Sequence, residues 1–141
     1  MADFCELWQG GPRFAQAEHF KLGTDCVLLA DFVNTASARR GIDLGCASGA
    51  ISLLLLARSL RLHMTGLELV PEAVELARAN MAENALTERA DMLCGDIRRV
   101  RELFAAGSFD LVAANPPYFP VGHGRTPSDT ARAAARGETS C

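Results

Sequence analysis

Residues 40–49 read Arg40-Gly41-Ile42-Asp43-Leu44-Gly45-Cys46-Ala47-Ser48-Gly49, and a strongly apolar stretch, Ala50 to Leu60, follows at once. Arg40 to Leu44 is short and apolar, as a buried strand requires. Gly45 and Gly49 let the backbone turn sharply and let a ligand approach the start of the next helix. Strand, glycine loop and helix in that order are the opening unit of an open α/β sheet, and the rest of the chain repeats the alternation.

Working outward, His63 to Leu69 is expected to be the next strand. Pro71 sits where a first helical residue belongs, and Glu72 to Asn84 keeps Val74, Leu76, Met81 and its alanines in helical spacing. Ala90 to Cys94 is a third strand closed by Gly95-Asp96. Ile97 to Ala106 is expected to be a helix with Leu103 and Phe104 facing inward, and Ser108 to Ala114 a fourth strand ended by Asn115. On the N-terminal side, Gly10-Gly11-Pro12 marks a turn. Thr24 or Asp25 looks like the cap of a helix through Val33. Strictly alternating strands and helices predict an α/β, Rossmann-like, mostly parallel open sheet with flanking helices.

The 141 residues fit one domain that buries about two-thirds of its unfolded surface. Within it, 1–36 reads as an N-terminal helical extension, 37–119 as the core and 120–141 as a polar, arginine-containing loop or tail. The net charge of −3 gives no general attraction to nucleic acid. Lys21 is the sole lysine among 14 basic residues, and several arginines fall late, from Arg98 to Arg136. Arginine suits phosphate contact and base stacking, although a solvated face accounts for it equally well. Five scattered cysteines with no Cys-x-x-Cys pair indicate neither a disulfide framework nor a zinc site. With no signal-peptide pattern and no apolar run long enough for a membrane span, a cytoplasmic, metal-free protein is expected.

In an open parallel sheet the ligand lies beyond the carboxyl ends of the strands. Those ends carry Asp43 and Gly45, then Glu68, then Asp96, then Asn115-Pro116-Pro117-Tyr118. A Gly-x-Gly-x-x-Gly dinucleotide fingerprint is absent. Asp43, just before the loop, would repel a pyrophosphate and favour a cationic ligand bearing an ammonium and a sulfonium. Glu68 follows the loop at the spacing of an acid that accepts from ribose hydroxyls. Asp96 either caps the helix from Ile97 or accepts from the exocyclic amine of an adenine. Adenine, ribose and a cationic tail together describe S-adenosyl-L-methionine.

At these residues the sequence resembles class I methyltransferases. Gly41 to Gly49 is similar to their first motif, Leu67-Glu68 to the second, Gly95-Asp96 to the third and Asn115-Pro116-Pro117-Tyr118 to the fourth. One departure stands out. Ala47 occupies the place of the usual middle glycine, which is tolerable if its dihedrals stay in an ordinary region. A narrower resemblance lies in Phe20-Lys21-Leu22-Gly23-Thr24-Asp25-Cys26-Val27-Leu28-Leu29-Ala30, which is similar to the segment preceding the cofactor domain in bacterial tRNA adenine-N6 methyltransferases acting on a valine tRNA. The resemblance implies a cofactor site drawn from Thr24, Asp43, Gly45, Cys46, Ala47, Gly49, Glu68, Leu69, Gly95, Asp96, Ile97 and Asn115. Thr24 and Asp25 would touch the methionine end, or serve only as a helix cap.

A plain strand terminator would account for two prolines but not for Asn115 or Tyr118. A planar NH₂ has a delocalised lone pair and attacks a methyl group poorly. The side-chain oxygen of Asn115 and the carbonyl of Pro116 can each accept one of its N–H bonds, with Pro117 stiffening the corner. Tyr118 offers a ring on which a flipped base stacks. The expected reaction is methyl transfer to adenine N6 in tRNA. The alternatives are a protein glutamine-N5 methyltransferase and a non-catalytic cofactor-binding fragment. Four strands where the resemblance implies seven raise the expectation that the chain is a truncated one. His19, His63 and His123 share no motif spacing, Trp8 is expected to serve packing, and Cys46 lacks a base partner.

Overall fold

The structure is a computed structural model that describes residues 3–16 and 23–115. Its centre is a four-stranded, wholly parallel sheet of β3 (Arg40–Leu44), β4 (His63–Glu68), β5 (Ala90–Cys94) and β6 (Leu111–Ala114), in the order β5-β4-β3-β6. Before it come a two-stranded antiparallel hairpin, β1 (Cys5–Glu6) with β2 (Arg13–Phe14), and α1 (Thr24–Phe32). Helices α2 (Ala50–Arg58) and α3 (Pro71–Glu83) connect the first sheet strands, and a 3₁₀ turn (Ile97–Arg99) running into α4 (Val100–Leu103) precedes β6.

The parallel α/β architecture is as expected, and the differences have local causes. The hairpin adds two strands to the stretch expected to be a helical extension. Its reversal is the expected Gly10-Gly11-Pro12 turn, closed by Leu7 N–H to Pro12 O at 2.9 Å and Gly11 N–H to Trp8 O at 2.8 Å. Helix α2 stops at Arg58, two residues short, because Arg89 donates to the Leu56, Ser59 and Leu62 carbonyls at its end, and Leu60 is left 83% exposed. The helix expected over 97–106 shrinks to the turn and α4. Phe104 swings out of it to stack edge-on against Phe109, and Leu103 lies half exposed rather than inward. Strand β6 begins only at Leu111. Ahead of it the Asp110 carboxylate accepts from the Arg39 and Arg40 backbone N–H groups and so pins the starts of β6 and β3 together.

Helix α2 is apolar nearly all round, as a helix packed between the sheet and another helix must be. Leu53, Leu55 and Leu56 are wholly buried there, each worth about 1.5–3 kcal/mol of burial. Helix α1 packs on α2, and α3 lies over β5 and β4. Phe14 and Ala30 join the same core as Leu53 and Met64, so the N-terminal elements share the hydrophobic centre of the sheet. On the other side β6 is the outermost strand among the described residues, with Val112 61% exposed. No helix among the described residues is long and apolar enough to cross a membrane.

Candidate cofactor and methyl-acceptor site

The register of the sheet brings the polar strand ends together. Leu44 pairs with Leu67 on one side and Ala114 on the other, so Gly45 and Asn115 leave the sheet side by side. Glu68 pairs with Cys94, and its carbonyl accepts the Gly95 N–H at 2.9 Å. The chain advances outward through β3, β4 and β5, then returns to the opposite side of β3 as β6. The order therefore reverses between β3 and β6, and the carboxyl side of such a reversal opens the crevice in which α/β sheets bind ligands. Gly45 and Asn115 stand at its lip.

The glycine loop is built around bonds of its own. Gly45 N–H and Cys46 N–H both donate to the Leu67 carbonyl, at 2.8 and 3.2 Å, and Gly49 N–H donates to the Cys46 carbonyl at 2.8 Å. Ala47 N–H donates to Glu68 Oε1 at 2.9 Å. With those donors spent, the loop is a poor cradle for a pyrophosphate. Gly49 is in the left-handed region at φ 89°, and a Cβ there would sit 3.0 Å from Met81 Cε and 3.3 Å from Ala77 Cβ. Ala47 corrects an expectation: its φ is 49°, left-handed rather than ordinary, so the methyl group at the middle-glycine position is strained. Cys46 is buried and its Sγ lies 2.8 Å from where a Cβ on Gly66 would stand. Burial, then the Asp43 and Glu68 charges, push its thiol well above the usual range, which disfavours the nucleophilic thiolate.

Asp43 is 1% exposed. Its Oδ2 accepts from Ser52 Oγ at 2.9 Å, while Oδ1 is buried with no hydrogen-bond partner among the described residues. Burial raises its pKa from 3.8 to about 6, against the pull of the Ser52 hydrogen bonds and with a push from the Glu68 charge. Glu68 is also buried, and its second oxygen, Oε2, accepts the Val70 N–H at 2.9 Å. A buried carboxylate with an unsatisfied oxygen is costly unless a donor reaches it.

Farther along the rim, Asp96 caps the 3₁₀ turn by accepting from Arg98 N–H at 2.9 Å. The Arg98 guanidinium grips the same carboxylate through Nε at 3.1 Å to each oxygen and through a terminal nitrogen at 2.7 Å. Those Arg98 bonds hold the carboxyl below its usual range. The cap reading of Asp96 is therefore present in the fold. Ile97 beside it is 47% exposed, an apolar surface at the rim. Leu69, the residue after Glu68, presents its carbonyl to Cys94 Sγ at 3.5 Å. A Cβ on Gly95 would come 2.9 Å from Leu67 Cδ1, so a side chain there requires Leu67 to shift.

Asn115 reaches the N-terminal segment: its Nδ2 donates to Cys26 Sγ at 3.2 Å. Neither Thr24 nor Asp25 caps α1. Gly23 is the capping residue and makes no side-chain cap bond, Thr24 is the first helical residue, and Asp25 Oδ1 accepts from its neighbour Cys26 N–H at 3.1 Å. The fourth-motif residues Pro116, Pro117 and Tyr118, and Phe20-Lys21-Leu22 of the narrower resemblance, lie outside the described residues.

Sequence reasoning missed Asn80. It is fully buried, accepts Ala15 N–H at 2.7 Å, and donates to Ala15 O at 3.0 Å and Ser48 O at 2.9 Å. One side chain thus ties the hairpin to the glycine loop. Its signal was a polar residue on the inward stripe Ala73, Val74, Ala77, Met81 of α3. The cleft between α1 and α2, about 350 Å³ and lined by Trp8, Val27, Leu54 and Arg58 among others, includes none of the rim residues. No group of three or more His, Cys, Asp or Glu side chains that could hold a metal occurs among the described residues.

The chain is similar to several relatives and solved structures. A tRNA1(Val) (adenine(37)-N6)-methyltransferase of Yersinia enterocolitica is 39% identical over 100 residues, which is 70% of this chain and 39% of that protein. The protein of the same name from Yersinia pestis is 40% identical over 100 residues, covering 70% and 40%. The chain thus spans about two-fifths of the length of these relatives. An O-methyltransferase from Bacillus cereus, solved in complex with SAH, superposes at a TM-score of 0.57 with 20% identity, over 70% of this chain and 47% of that one. An O-methyltransferase family protein from Burkholderia thailandensis superposes at 0.54 with 24% identity, over 62% and 26%. At those identities the likeness establishes the fold, that of class I methyltransferases. The sequence profile of the methyltransferase small domain matches residues 14–133, and the chain belongs to that family.

Proposed function

We propose that the protein is an S-adenosyl-L-methionine-dependent N-methyltransferase acting on the N6 amine of an adenine in tRNA. The observation that carries this reading is the pairing of Leu44 with Ala114, which sets the Asp43–Gly45 loop beside Asn115 at the sheet's switch point. The residues fit the cofactor. The unpartnered Oδ1 of Asp43 calls for a donor, and an ammonium is one of the few that a buried carboxylate welcomes. Glu68, buried behind the loop with each oxygen taking one backbone N–H, retains lone pairs for ribose hydroxyls. Asp96 and Ile97 offer a carboxylate and an apolar surface to the adenine edge and face. Leu69, Gly95 and the loop from Gly45 to Gly49 would form the wall between them, and Thr24 the approach from α1.

When bound, the cofactor supplies a methyl group on a positively charged sulfur. The chain's own part is to orient the attacking nitrogen. Asn115 Oδ1, with the Pro116 carbonyl, would accept the amine's N–H bonds, hold its lone pair in line and draw off the positive charge that develops on the nitrogen, whose surplus proton would pass to water. Pro117 would stiffen that corner, and Tyr118 would supply a stacking face for a base turned out of its helix. The names of the relatives favour tRNA over a protein glutamine as the acceptor. A tRNA substrate also agrees with a cytoplasmic setting.

The test is transfer of labelled methyl from S-adenosyl-L-methionine to tRNA and, separately, to protein. Label in N6-methyladenine is expected, together with loss of transfer but not of cofactor binding in Asn115→Ala. Label in protein glutamine, or an active Asn115→Ala variant, would overturn the assignment. Binding without transfer to either acceptor would leave a cofactor-binding module.

A further inference from the structure

We infer that Cys26, on the first turn of α1, is a positioning residue that turns the Asn115 amide toward the methyl acceptor. The inference rests on the N-methyl-transfer reading above and deepens it. Asn115 sits one residue beyond β6, with freedom about both side-chain torsions, yet its oxygen must meet an incoming amine in a fixed direction. A carboxamide is planar, and its nitrogen and oxygen diverge from Cγ. Holding one therefore aims the other. The structure holds the nitrogen: Nδ2 donates to Cys26 Sγ at 3.2 Å, across 89 residues of sequence. Oδ1 is thereby directed away from the thiol. Donation from Nδ2 also polarises the amide and makes Oδ1 a better acceptor.

The contact needs α1 to be held in place, and it is. Ala30 lies in the core, and α1 packs on α2, whose first residues follow the glycine loop. The same elements that fix the cofactor loop therefore fix the Asn115 side chain. The surroundings of the thiol are consistent with a neutral acceptor. Burial raises its pKa above the usual value, the Asn115 hydrogen bond and the Gly23 backbone pull it down, and the Asp25 and Asp43 charges push it up. A neutral sulfur can accept the amide N–H without imposing a charge on the corner.

The experiment pairs kinetics with thiol chemistry in the whole protein. Cys26→Ala removes the acceptor of the amide N–H. It is expected to lower kcat for methyl transfer to tRNA about tenfold, the order of loss that follows removal of one neutral hydrogen bond, with the KM for tRNA and the affinity for S-adenosylhomocysteine unchanged. Cys26→Ser, which keeps an acceptor atom, is expected to restore most of the rate. A stability defect alone would not give that split or that rescue. Independently, the pH profile of Cys26 alkylation by iodoacetamide, read by peptide mass spectrometry, is expected to move to higher pH in Asn115→Ala. An unmoved profile, or an unchanged kcat in Cys26→Ala, would overturn the proposal. A parent protein inactive on tRNA whose thiol profile still moves would instead overturn the methyl-transfer reading and leave Cys26 as the residue that orients Asn115.

Discussion

Glu68 holds Ala47 in a left-handed turn. Its Oε1 accepts the Ala47 N–H at 2.9 Å, and Ala47 carries a φ of 49°. The other oxygen is anchored on the Val70 N–H at 2.9 Å, so the carboxylate is a rigid peg against which the loop is bent. Ala47 thus accepts strain that a glycine would not feel. Ala47→Gly is expected to raise stability by about 1 kcal/mol, the left-handed penalty less the added freedom of glycine in the unfolded chain. Ala47→Val should lower it. Urea midpoints of the two variants read this directly, and a glycine variant less stable than the parent would mean that the turn is not strained at Ala47.

That turn also shows where sequence was informative and where it was not. Strands β3 and β5 begin and end where the apolar runs and the following glycines place them, because buried parallel strands carry their pattern in consecutive residues. The rim was legible for the same reason: a polar residue ending each apolar run must lie at a carboxyl end. Helices were legible in kind but not in length. The stops of α2 and α4 depend on Arg89 and on the Phe104–Phe109 stack, which are contacts between distant residues. The Ala47 dihedral, the Asn80 bridge and the Cys26–Asn115 contact are likewise tertiary facts, with at most a misplaced polar residue to announce them.

Asp43 makes the ligand-free protein sensitive to pH. Its carboxyl titrates near 3.8 in an unfolded chain and about 6 in the fold, so the protonated form is the one the fold prefers. That contribution is complete below the unfolded value and is lost as pH rises through the folded one. The loss is of order 3 kcal/mol. Asp43→Asn stays neutral and can still meet Ser52. It is expected to match the parent near pH 4 and to exceed it by about 1–3 kcal/mol at pH 8, while binding S-adenosylhomocysteine poorly. Equal stability of the two proteins at pH 8 would show that the buried charge is compensated.

Arg98 competes for the carboxylate that the adenine would use. Nε and a terminal nitrogen both sit on Asp96, at 3.1 and 2.7 Å, in a pair whose arginine is half exposed and whose carboxylate is largely covered. Removing the guanidinium leaves the cap bond from the Arg98 backbone intact. Arg98→Ala is therefore expected to tighten adenosine binding about two- to fivefold, the scale of a surface ion pair. Titration calorimetry with adenosine would show it. Weaker binding in Arg98→Ala would assign the arginine to the ligand's own surroundings instead.

Asn80 couples the hairpin to the glycine loop, and its removal should loosen both together. Asn80→Ala removes the bond to Ser48 O and leaves Ala15 N–H and Ala15 O without their partner in a buried site. Unpaired buried groups cost about 1–3 kcal/mol each, so a loss of about 3 kcal/mol or more is expected. Asn84 provides the control. It bonds Arg13 N–H and O in the same bidentate way, at 2.8 and 2.7 Å, and the Asn80 carbonyl at 2.8 Å, but in a partly exposed position, where water replaces the bonds to Arg13, and Asn84→Ala should cost about 1 kcal/mol. Amide hydrogen exchange separates a coupling role from a merely local one. In Asn80→Ala, protection is expected to fall at Ala15 and across residues 45–49 by similar factors, whereas Asn84→Ala should affect the hairpin alone. Faster exchange at Ala15 with an unchanged loop would show that Ser48 is held without the help of Asn80.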